Sequence, residues 1–138
     1  MTDAELDDLV RRFNACAVPR TEWTHQAHLA VGLWHVSQYK RKDALQRLRA
    51  GIARLNESNG VVNSATGGYH ETVTRAYVAL LSDFAARHAD KTAAERVRAL
   101  LEDPLSDKKA LLRFYSRPVL ESSAARLDWV EPDLAPLP

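Results

Sequence analysis

A single cysteine, Cys16, occurs in the 138 residues, which excludes an internal disulfide and fits a reducing compartment. Its plainest reading is a small buried hydrophobe; a ligand or nucleophile is the alternative, since the thiol lies nine residues before His25. An excess of one charge is lacking as well: 19 Lys and Arg face 18 Asp and Glu, for a formal charge of +1. That balance gives no reason to expect nucleic acid or an anionic membrane as a partner. No apolar run approaches the roughly 18 residues of a membrane span, and no charged-then-apolar leader follows Met1. The expected location is the cytoplasm. His-Glu-x-x-His, paired cysteines, a phosphate loop and a nucleophile elbow are all missing, so those standard chemistries find no support. There is also no internal repeat, strand-like alternation or low-complexity tract.

What remains is a chain of ordinary globular composition, 46% hydrophobic and 27% charged, patterned for helices. Thr2-Asp3-Ala4-Glu5 reads as a capping box, and Leu6, Leu9, Val10 and Phe13 follow at helical spacing, predicting a helix over Asp3 to Asn14. A second helix is predicted from His25 to about Gln38. Its stripe of Leu29, Gly32, Val36 and Tyr39 is widened by Leu33 and Trp34, so it is apolar nearly all round and belongs at the centre of a bundle. A third, Asp43 to Glu57, turns Leu45, Leu48, Ile52 and Leu55 inward and Arg47, Arg49 and Arg54 outward. That arginine face has no interleaved aromatics and reads as solvated surface.

The irregular stretch Val61 to Gly68 precedes a fourth helix, His70 to His88. A fifth starts at Asp90 or Thr92, the latter boxed with Glu95, and ends at Asp103-Pro104; a short sixth covers Asp107 to Tyr115. Ser116-Arg117-Pro118 breaks the pattern, leaving a helical turn and an extended tail docked through Trp129 and Val130. The expected fold is all-α: one domain over residues 1–138, a bundle of five or six helices with a four-helix core, and a packed tail from about residue 118.

The candidate chemistry sits at two helix starts. With about 100° of rotation and 1.5 Å of rise per residue, His25 and His28 share one helical face and can grip one ion together. His70, after the Gly67-Gly68 pair, is the natural third ligand, and Glu71 a fourth ligand or general base. An open three-histidine site would activate water, whereas a His and carboxylate mixture suits ferrous chemistry; the spacing does not choose. His35 lies too far along the axis to join and reads as structural. Glu22 and His25 show a Glu-x-x-His spacing, but only once, and Glu22 reads as a complement to the helix dipole rather than part of a dinuclear site. Glu71 and Arg75 form an i, i+4 pair, either a surface ion pair or an arginine set beside the metal.

At these residues the chain resembles a family of short bacterial proteins of uncharacterised function, with a Trp-Thr-His-x-x-His-Leu stretch and a later Gly-Tyr-His-Glu-Thr stretch. Here they are Trp23-Thr24-His25, His28-Leu29 and Gly68-Tyr69-His70-Glu71-Thr72, with a looser likeness at Ala125-Arg126 and Trp129 to Asp133. The resemblance carries over no activity.

The leading expectation is a metal-dependent enzyme activating water, or oxygen, on a small polar metabolite. His25, His28 and His70 would hold one divalent zinc, iron, nickel or copper, Glu71 would serve as base, and Asn63, Tyr69 and Arg75 would contact substrate. A rival is a non-catalytic module in which the histidines and Arg75 hold a small anion; a structural or partner-binding helical domain is the third reading. The expected partner is a small molecule, without nucleic acid or membrane. A homodimer through an exposed apolar helix face is compatible with the pattern and not required by it.

Overall fold

The computed structural model describes all residues, 1–138, and is all-α. Seven α-helices occur in chain order: α1 (Asp3–Asn14), α2 (His25–Gln38), α3 (Arg41–Ser58), α4 (Glu71–Arg87), α5 (Ala93–Leu101), α6 (Arg117–Leu120) and α7 (Ser123–Leu127). Their starts follow the capping chemistry of the sequence. Thr2 with Glu5, and Thr92 with Glu95, form reciprocal capping boxes, while Thr24 accepts the Ala27 N–H at 3.2 Å and starts α2.

Helix α2 is the centre of the bundle, in contact with α1, α3, α4 and α5. Ala27, Leu29, Ala30, Val31, Gly32, Leu33 and His35 are buried along it, as its all-round apolar pattern requires. His35, 2% exposed, donates Nδ1–H to the Val31 carbonyl at 2.8 Å and meets Phe13 and Trp34 edge-on. Its ring is thus a satisfied part of the core. Phe13 of α1 lies over Gly51 of α3, where an added Cβ would come within 2.5 Å of the ring. That glycine lets the two helices approach closely.

Two features depart from the sequence expectation. The sixth helix is only a 3₁₀ turn, Ala110–Arg113. The chain beyond residue 116 is not yet a tail: Pro118 occupies the first turn of α6, where its missing N–H costs nothing, and Ser122 caps α7 by accepting from Ala125 N–H. Extended chain begins only at Asp128, and it is tied down. Thr72, fully buried on α4, donates its hydroxyl to the Asp128 carbonyl at 2.8 Å and accepts from Val130 N–H at 3.0 Å. Tyr115 donates to the Val130 carbonyl at 2.7 Å.

Candidate functional site

Helices α2, α3 and α4 do not close completely on one another. Between them lies a cavity of about 290 Å³ lined by His25, His28, Leu29, Gly32, Leu48, Ile52, Val73, Thr74, Tyr77, Val78 and Leu81. An outer chamber of about 390 Å³ adjoins it, bounded by Arg20, Trp23 and the Gly68-Tyr69-His70 segment. His28, Ile52, Val73 and Thr74 line both chambers, so the two form one cleft. The inner volume falls at the low end of small-molecule sites, roughly 300–1,000 Å³, and has their apolar walls with a few polar groups. A larger groove of about 730 Å³ between α1, α2 and α5 is a surface depression; its Arg12 is already held by Asp8 at 2.9 Å, with Glu22 at 3.7 Å.

The start of α2 orients the two cleft imidazoles. The Thr24 carbonyl sits 2.7 Å from His28 Nδ1, so Nδ1 carries the proton and Nε2 is left with its lone pair. The His28 ring is open to solvent through the cleft, yet its walls desolvate it, which holds its pKa below the ordinary imidazole value; the Thr24 carbonyl opposes that shift and His25 adds to it. The group is neutral at neutral pH. Trp23 covers one face of the ring, with centroids 3.9 Å apart. The Trp23 indole N–H is buried without a partner. His25 is held through its other nitrogen: its Nε2–H donates to the Ser106 carbonyl at 3.0 Å. Tyr77 lies deeper. Burial, reinforced by the charge of Asp107, pushes its hydroxyl up to about 12, so it stays protonated.

The second helix start has a different job. His70 is the N-cap of α4: Nδ1 accepts the Val73 N–H at 3.1 Å and Nε2 donates to the Leu120 carbonyl at 2.8 Å. Both ring nitrogens are occupied, and the ring keeps its neutral form, its pKa depressed by burial despite the Leu120 carbonyl. His70 therefore offers no nitrogen to a metal. No group of three or more His, Cys, Asp or Glu side chains is placed to hold one, so the predicted set of His25, His28 and His70 does not fit that role in this arrangement.

Glu71 is likewise committed. It receives Nε and Nη2 of Arg49 at 2.8 and 2.5 Å and the Tyr69 hydroxyl at 2.7 Å. Burial pushes its carboxyl up, but these hydrogen bonds outweigh it and hold the group below the usual carboxylate range. A carboxylate so anchored is a poor base. The expected pairing with Arg75 is replaced by Arg49, and the Arg75 guanidinium instead lies 4.6 Å over the Trp129 ring.

Asn63 is an internal brace of its loop. It accepts from Tyr69 N–H and Asn56 and donates to the Ala53 carbonyl. Gly68 has φ +76°, and a Cβ there would strike the Val62 carbonyl and Asn63 at 2.6 Å. Tyr69 lines the outer chamber with its hydroxyl already spent on Glu71. Cys16, half-buried at φ 54°, lines neither chamber.

Sequence reasoning missed Thr74, Tyr77 and Ile52 as cleft residues, and Arg49 as the partner of Glu71. A signal for Arg49 existed: Leu45, Arg49 and Ile52 fall at i, i+4 and i+7, which puts the arginine at the edge of the inward stripe. No protein-family model, curated protein or solved structure matches the chain.

Proposed function

We propose that this is a small-molecule-binding helical protein whose cleft between α2, α3 and α4 takes an apolar ligand with a polar end at His28. The observation that carries the reading is the coincidence, in one apolar cavity, of a neutral imidazole with a free Nε2 and a tyrosine whose hydroxyl stays protonated. Buried apolar wall supplies affinity and the few polar groups supply orientation. The anion-binding alternative loses its main support, because Arg75 lies over Trp129 rather than in the cleft.

The test is amide chemical-shift mapping during titration with naphthalene-type fragments, each bearing one polar group. Saturable shifts concentrated at Leu29, Gly32, Val73, Thr74 and Tyr77 support the reading. Shifts confined to the groove between α1 and α5, or none that saturate, overturn it.

A further inference from the structure

The polar groups of the inner chamber are unevenly matched. No Lys or Arg lines it, and the only cationic side chain on either chamber is Arg20, at the outer one. The two imidazoles are fixed by backbone carbonyls that hold one ring N–H each, His25 Nε2–H on Ser106 and His28 Nδ1–H on Thr24, so that the neutral His28 ring keeps its lone pair on Nε2. The Thr74 hydroxyl already donates to the His70 carbonyl at 2.9 Å, so toward the chamber it too can only accept. Against these acceptors stands one O–H, that of Tyr77.

An anion brought here would face lone pairs and lose hydration with no counter-charge in return, which is costly. A group with only acceptor oxygens would leave the imidazoles unpaired. A neutral O–H or N–H donor can pair with one of them, and His28, which lines both chambers, is the one placed to receive it. Because carbonyls of the chain hold both ring protons, the rings cannot switch tautomer to suit an acceptor without breaking a hydrogen bond.

Resting on the binding reading above, we infer that the cleft selects apolar molecules whose polar end is a neutral hydrogen-bond donor, a hydroxyl or N–H, received by His28 Nε2. The probes are β-naphthol, its methyl ether and β-naphthoate, which share one ring system and present a donor, a capped oxygen and an anion. Calorimetry at neutral pH on the full chain should find β-naphthol bound about five- to tenfold more tightly than the ether, the scale of one net hydrogen bond, and naphthoate weakest. His28→Phe keeps a flat ring against Trp23 and removes the acceptor; it should abolish the advantage of naphthol over the ether, with the ether bound at least as tightly as by the wild type because no lone pair is left unpaired. In the wild type, nitrogen NMR should show the His28 Nε2 resonance moving on addition of naphthol and not of the ether, a readout that does not depend on the variant folding.

Equal affinity for naphthol and ether, with saturable cleft binding of both, overturns the donor preference and leaves the binding reading standing. Tightest binding of naphthoate overturns the preference in favour of an anion. Binding of none of the three overturns both.

Discussion

The Trp23 indole lies on the His28 imidazole, centroids 3.9 Å apart and planes inclined by 33°. The contact explains the stretch Trp23-Thr24-His25-x-x-His28 in physical terms. Thr24 begins α2 with its side chain, its carbonyl then holds His28 Nδ1–H, and Trp23 supports the ring from one face. Two neighbouring residues, Trp23 and Thr24, thus set the position and tautomer of one side chain at the mouth of the cleft.

The Arg49–Glu71 pair should be a stability element rather than a chemical one. Glu71→Gln is expected to cost about 1.5 kcal/mol, the low end for hydrogen bonds to charged groups, because Arg49 is 43% exposed and solvent screens the pair. Urea denaturation measures the cost, and ligand affinity should be little changed. A variant as stable as the wild type would show that the pair contributes nothing.

His70 holds a cap and a long-range tie at once. His70→Ala should lose about 1–3 kcal/mol, combining an N-cap with the bond to the Leu120 carbonyl. His70→Asn, which restores capping alone, should recover part of it. Dialysis against a chelator should leave the melting temperature unchanged, since His70 has no nitrogen to give a metal. Stoichiometric zinc lost in His70→Ala would contradict this arrangement of the ring.

Acid should weaken the fold before any carboxylate titrates. His28, His35 and His70 all have pKa values held below the ordinary imidazole value, chiefly by desolvation, from the core around His35, partial burial of His70 and the cleft walls beside the solvent-open His28. Their neutral forms are favoured in the folded state, so the unfolded chain takes up protons first as the pH falls through about 6.5. Linkage then makes stability full above that value and lower below it, until the folded-state pKa values are reached. Glu71, also depressed, adds a further loss below about pH 4.5. The urea midpoint should therefore be lower at about pH 5.5 than at neutrality. A midpoint that rises on acidification would contradict the assignment of three neutral rings.

The bounds of α1 and α2 were legible because local chemistry decides them: a capping box before α1, and a threonine cap with an all-round apolar run for α2. The short helices after residue 116 were not, because Pro118 marks either a stop or a first turn and only the packing of Ala125 and Thr72 decides which. His25 and His28 stood out as a pair on one helical face, and both line the cleft. His70 and Glu71 stood out equally well but for another reason, since a histidine N-cap is uncommon and the partner of Glu71 lies 22 positions away. The Tyr77 hydroxyl reaches the cleft from a stripe that spells ordinary core, and nothing local separates the two roles.

The most direct test of the cleft is calorimetry of β-naphthol with the wild type and with Val73→Phe, whose larger ring would fill space shared by both chambers. Saturable binding to the wild type, weakened about tenfold or more in a variant of native-like circular dichroism, is expected from loss of the apolar volume. Equal affinity in the two proteins would mean that the ligand binds elsewhere and that this cleft is not the site.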